Sequence, residues 1–242
     1  MQTDRLFSQH QPETGEFSFD ENVAKVFDDM INRSIPLYAD VQRAIPSLVS
    51  LLDHEDPVRV VDLGCSTGTS LIHLAKSLPD RNLDLIGVDN SQPMLDKCVE
   101  KLAALRLSDS ANVVCYDIQK YELKNVSVVL MNYTLQFIAP GERLAMLKRV
   151  ATGLRPGGFL LLSEKVIHSD PKTDAALVEM YFEYKRRQGY SELEISRKRD
   201  ALENVLLPLT VDDNLALLRD AGFKRVETLL KWFNFTTFVA SV

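Results

Sequence analysis

Five short apolar runs, separated by helix-length stretches and each ended by a polar residue, dominate the middle of this chain. They are VRVVDLG from Val58, LDLIGVD from Leu83, NVVCYD from Asn112, VSVVLMN from Val126 and GFLLLSE from Gly158. Strands that stay apolar at successive positions are buried on both faces, and helical stretches between them make crossover connections. The pattern therefore predicts an α/β fold built on a mostly parallel sheet. Two helical stretches precede it, one with Val23, Val26, Phe27, Met30 and Ile31 at helical spacing and one from about Pro36 to Leu52. About forty residues of helical pattern follow, Thr173 to Leu207, then a short helix near Asp212 to Ala221 and two closing strands, Arg225 to Lys231 and Asn234 to Val239. No repeat or Gly/Ser linker divides the 242 residues. One domain, 1–242, is expected, with a helical lid over 1–55 and a helical insertion over 170–207.

In an open parallel sheet, ligands bind outside the carboxyl ends of the strands, so the residue that ends each run matters most. The first run leads into Asp62-Leu-Gly64-Cys65-Ser66-Thr67-Gly68, a turn whose glycines let the backbone approach a ligand at the next helix N-terminus. The second ends in Asp89-Asn90, where a carboxylate can accept both hydroxyls of a ribose. The third ends in Asp117-Ile118, where a side chain and a backbone N–H can read an adenine edge, and the fourth in Asn132 at the centre of the crevice. In isolation Asp62, Asp89 and Asp117 would read as turn or N-cap residues; three in register argue for a site. The G-x-G-x-x-G spacing of dinucleotide binders is absent.

Net charge −6, from 28 basic and 34 acidic residues, removes the chain-wide basic footprint of a nucleic-acid binder. Cys65, Cys98 and Cys115 form no CxxC pair, and His10, His54, His73 and His168 are scattered, so no zinc set is expected. Cys65 reads as a small turn residue. No apolar run is long enough for a membrane helix, and Met1 to Glu21 is polar, so a cytoplasmic protein is expected.

These elements in order, with Leu154-Arg-Pro-Gly-Gly158 and the closing strand pair, resemble the class I S-adenosyl-L-methionine (SAM) dependent methyltransferase fold, a Rossmann-like seven-stranded sheet with one reversed strand. Ser66 departs from it, standing where a glycine is usual. The flanks carry a more specific resemblance. Phe19 to Phe27, Asp29 to Pro36, Asp89 to Pro93, Asn132 to Phe137, Gly189 to Ser196, Lys198 to Val205 and Trp232 to Phe235 look like the carboxy-SAM synthase family over nearly the whole chain.

That resemblance implies an enzyme converting SAM and prephenate to carboxy-SAM and phenylpyruvate, the product being spent by a separate tRNA carboxymethyltransferase on wobble uridine. It places ligand contacts on Tyr38, Gly64, Cys65, Ser66, Asp89, Asn90, Asp117, Ile118, Asn132 and Arg199, with Arg199 arriving from the other subunit of a homodimer as the catalytic group. The chain departs from the family at Leu37, where Gly is usual, and at Lys231-Trp232, where Gln-Cys is usual.

Helical spacing gives a partly independent reading of Arg199. Ile195, Arg199, Leu202 and Leu206 share one stripe, from which Arg197 and Lys198 point away. An arginine on an apolar face calls for an anion, and a carboxylate matches the guanidinium fork. The plainer reading is a solvated face with Arg199 paired to Glu164 or Glu203. Two other functions share these features: ordinary methyl transfer to a small anionic acceptor, and non-catalytic SAM binding within a tRNA-modifying complex. Asn132-Tyr-Thr-Leu lacks the N-P-P-Y type pattern, which disfavours methylation of nucleobase amines.

Overall fold

A computed structural model describes residues 3–9, 17–51, 57–202 and 205–242; Glu203, His10 and His54 lie outside them. The elements in chain order are α1 (Leu6–Gln9), α2 (Glu21–Ser34), α3 (Tyr38–Ser50), β1 (Val58–Leu63), α4 (Thr69–Ser77), β2 (Leu83–Asp89), α5 (Gln92–Ala104), β3 (Asn112–Cys115) and β4 (Val126–Asn132). A single 3-10 turn, Leu135–Phe137, leads to α6 (Pro140–Gly153) and β5 (Leu154–Ile167). Then come α7 (Pro171–Arg187), α8 (Glu192–Leu202), β6 (Leu209–Thr210), α9 (Val211–Asp220), β7 (Arg225–Trp232) and β8 (Phe235–Ser241).

The strand order is β3-β2-β1-β4-β5-β8-β7, with the two-residue β6 beside β5. β1 through β5 pair in parallel, while β8 runs antiparallel to both β5 and β7. One reversed strand was expected; β6 is an eighth strand too short to leave a pattern. The helical stretch after β5 is two helices, broken where Gly189 takes φ +86, a conformation that costs glycine nothing. A short helix, α1, precedes the two expected before β1.

Alternate residues of the central strands feed different cores, as a period of two requires. Val61, Leu63, Val129, Met131, Leu160 and Leu162 join Leu147 and Val150 of α6 and Leu218 of α9 on one face. Val60, Val128, Leu130 and Leu161 join Ile45 of α3, Leu71 of α4 and Leu95 of α5 on the other. With both faces covered, the carboxyl ends of β1 to β5 are the open place on the sheet. α2 and Phe19 pack beside them through Val23, Val26 and Met30 against Met94. No helix among the described residues is long and apolar enough to cross a membrane.

Candidate active site

The turn after β1 is shaped by close approach. Gly64 has φ +80, and a Cβ there would stand 2.5 Å from Thr134 Oγ1. Gly68 has φ +74, and a Cβ there would collide with Cys98 Sγ. Between them Ser66 adopts φ +49 with a side chain, so the loop keeps the left-handed shape that a glycine would take without strain. Ser66→Gly should therefore stabilise the fold by about 1 kcal/mol, raising the melting temperature by roughly 2–4 °C in calorimetry. Leu37, at φ 57 before α3, explains in the same way why glycine suits that position.

Asp89, at the end of β2, is mostly buried, and its two oxygens accept from Ser66 N and Ser91 N at 2.9 Å each. A carboxylate has about four acceptor sites, so capacity remains for two hydroxyls. Burial raises its pKa while the backbone donors oppose that rise. Asp117 lies at the rim, accepting from Gln119 N and pairing with Lys120, and that backbone hydrogen bond lowers its pKa. Asn132 is locked at the centre: Ser163 donates to Asn132 Oδ1 at 2.9 Å, Ser163 in turn contacts Thr237 Oγ1 at 3.0 Å, and Asn132 Nδ2 reaches Ser70 at 3.4 Å.

Asp62 is fully enclosed, and burial with the nearby Asp89 carboxylate pushes it up to about 7. Burial likewise raises the Cys65 thiol and the Tyr38 and Tyr133 hydroxyls. Cys65 is thus a packed thiol, its sulfur filling the space that Gly87 leaves on β2.

All ten residues singled out from the sequence line one cavity of about 720 Å³ across the strand ends. The structure corrects the reading of α8, however. The buried residues of that helix are Ile195 and Lys198, not Arg199. Lys198 points inward, its Nζ donating to Ser34 Oγ at 2.8 Å. The Arg199 side chain is 61% exposed at the cavity mouth of its own chain and pairs with Asp200 at 3.0 Å. Glu164 is not its partner. That carboxyl is buried near Arg143 and accepts from the backbone around Leu135, and burial raises its pKa well above the carboxylate range.

Other residues left no sequence signal. Thr67 Oγ1 donates to Asp28 Oδ1 at 2.6 Å, and Lys101 Nζ reaches Asp28 Oδ2 at 2.8 Å and Thr67 Oγ1 at 3.1 Å, tying α2 and α5 to the glycine turn. Tyr38, Tyr133, Tyr181 and Phe235 form an aromatic wall at the β5–β8 side.

Relatives decide the family. The carboxy-SAM synthase of Haemophilus ducreyi is 43% identical over 240 residues, covering 99% of this chain and 98% of that protein. That of Nautilia profundicola is 42% identical over 238 residues, covering 98% of each. The chain belongs to the carboxy-SAM synthase family.

The family is one of enzymes, and this member carries the methyltransferase-domain match expected of it over residues 60–158. Solved structures agree on the fold. An O-methyltransferase family protein from Burkholderia thailandensis superposes with a TM-score of 0.68 at 17% identity, over 92% of this chain and 60% of that one. Human N-acetylserotonin methyltransferase, solved with SAM, superposes with a TM-score of 0.62 at 14% identity, over 91% of this chain and 55% of that one. The class I methyltransferase fold is therefore the fold of this carboxy-SAM synthase family member.

Proposed function

We propose that this enzyme converts SAM and prephenate to carboxy-SAM and phenylpyruvate. The reading rests on near-full-length likeness to carboxy-SAM synthases, and the observation that carries it in this chain is one cavity with two chemically different ends. The end at β2 and β3 offers Asp89, Asn90, Asp117 and Ile118 to a nucleoside. The end at β5 and β8 offers aromatic rings and basic side chains to a carbocyclic anion. Asp89 would hold the ribose, Asp117 and Ile118 the adenine, and Tyr38, Gly64, Cys65, Ser66 and Asn132 the methionine portion and sulfonium. Arg199, from the neighbouring subunit of a homodimer, would clamp the new carboxylate.

The proposed balance is as follows. Prephenate becomes aromatic by losing carbon dioxide and hydroxide; the sulfonium methyl loses a proton; the resulting carbanion captures the carbon dioxide; proton and hydroxide leave as water. Burial holds Tyr38, Tyr133 and Cys65 in their protonated forms, which favours a base supplied by the substrate over these side chains. The chain's own part is then positioning, anion stabilisation and exclusion of water, with the helices of 1–55 as a lid and 170–207 as an insertion closing the other side of one domain. The product would serve a tRNA carboxymethyltransferase acting on wobble uridine in the cytoplasm, without RNA binding by this protein.

Protein purified from its host and denatured should release a nucleoside heavier than SAM by one carbon dioxide, and purified enzyme should form it from SAM only with prephenate present. Mass spectrometry that recovers SAM or its demethylated form alone from several preparations would count against the reading. Methyl transfer that needs no prephenate would replace it with ordinary methyltransferase chemistry.

A further inference from the structure

Three lysines gather at the β5–β8 end of the cavity, where Asp4 and Asp174 act on them from a distance without forming an ion pair. Lys165 from β5, Lys185 from α7 and Lys198 from α8 all line it. Lys185 and Lys198 are 4% and 7% exposed, and no described carboxylate forms an ion pair with any of the three. Lys165 and Lys185 flank one ring, their Nζ atoms 5.5 and 4.9 Å from the Tyr181 centroid. Lys198 Nζ lies 5.8 Å from the Tyr190 ring and donates to Ser34.

A cation–π contact offsets only part of the cost of taking an ammonium out of water. Three such groups from three elements, aimed into one space, are an arrangement that an anion would relieve. Placement matters as well. Neighbouring strands lie roughly 4.8 Å apart, so β5 stands about 14 Å across the sheet from β2, beyond the nucleoside end.

We propose that Lys165, Lys185 and Lys198 form the subsite for the two carboxylates of the second substrate, with Tyr181 beneath its carbocyclic body; this rests on the reading that the substrate is a prephenate-like dicarboxylate. The electrostatics of the empty site agree. Burial and the neighbouring lysines push Lys185 down to about 7, and burial pushes Lys198 down to about 8, against Asp4, which raises both, while Arg33 lowers Lys198 further. An arriving dianion would draw both lysines back to full charge.

The test separates binding from turnover by loading the protein with S-adenosylhomocysteine, which has no methyl to react. Prephenate and phenylpyruvate, which lacks the ring carboxylate and the ring hydroxyl, are then titrated calorimetrically into wild type, Lys185→Met, Lys198→Met and Lys185→Gln. Wild type should prefer prephenate, and each variant should lose at least about tenfold in prephenate affinity, the size expected for a charged hydrogen bond. Affinity for S-adenosylhomocysteine and the melting temperature should hold. Unchanged prephenate affinity and KM in both methionine variants would overturn the subsite while leaving the proposed reaction in place. Lysine-dependent prephenate binding without carboxy-SAM formation would overturn the reaction alone. Parallel loss of S-adenosylhomocysteine affinity or of fold in all variants, the glutamine included, would show the lysines to be structural and overturn the subsite.

Discussion

Mixing Asp89→Ala protein with Arg199→Ala protein, under conditions that exchange subunits, should restore carboxy-SAM formation that neither variant supports alone. Asp89→Ala removes both proposed ribose acceptors, each worth roughly 1.5–3 kcal/mol as a hydrogen bond to a charged group, so SAM affinity should fall by at least about tenfold. Loss of the Asp89 oxygens also frees Ser66 N and Ser91 N, loosening the loop that carries Cys65. Arg199→Ala removes a guanidinium that is exposed at the cavity mouth and, among the described residues, pairs with its neighbour Asp200. A side chain so placed is available to a second molecule, and a bidentate fork is the geometry that a carboxylate accepts best. In a two-fold dimer each mixed pair has one site with both residues and one with neither, so random exchange predicts roughly a quarter of the wild-type rate. Mass-tagged subunits would verify exchange. Complete exchange with no recovered activity would put Arg199 to work on its own chain's cavity.

Asp62→Asn should change the pH dependence of stability strongly. Asp62 sits at the end of β1, 2% exposed, near Asp89 and hydrogen-bonded to Ser70. Its folded pKa, about 7 against an ordinary 3.8, is raised chiefly by burial. The stability that belongs to the protonated form is therefore fully present below pH 3.8 and lost as pH rises through 7. Asparagine keeps the shape and cannot ionise. The variant should gain on wild type as pH rises from 3.8 to 7, by about 4 kcal/mol in all at 1.36 kcal/mol per unit, and no further above that. Urea unfolding of ligand-free protein at several pH values measures this directly, and parallel profiles would mean that Asp62 ionises in the folded state without cost.

Much of the sheet could be read from the sequence because β1, β4 and β5 are apolar on both faces, and a run such as VSVVLMN has few other uses. The turn Gly64-Cys65-Ser66 and the pairs Asp89-Asn90 and Asp117-Ile118, with Asn132, could be read for a related reason: residues that follow buried strands converge at one edge, whereas Tyr38 on α3 and Arg199 on α8 rest on the family resemblance. Lys198 was not legible. Helical spacing puts Arg199 on one stripe with Ile195 and Leu202, whereas the positions that α8 buries, Ile195 and Lys198, are set by contacts with Ser34 of α2 and with Tyr190. Those contacts span more than a hundred and sixty positions in the chain for Ser34, and no local period encodes them. The Asp28–Thr67–Lys101 cluster was hidden likewise, since three ordinary surface residue types meet only after α2, the glycine turn and α5 are in place.

The reversed strand has a consequence for the order in which a newly made chain becomes competent. Asn132 is oriented by Ser163, and Ser163 is oriented by Thr237 on β8. β8 is synthesised after the other described strands, yet it must slot between β5 and β7. While it is still within the ribosome, the crevice already has its glycine turn and Asp89, but its central amide is free to rotate. A ribosome-bound intermediate stalled before Phe235 should thus hold a nucleoside loosely at one end and leave the reacting centre unset until translation passes β8.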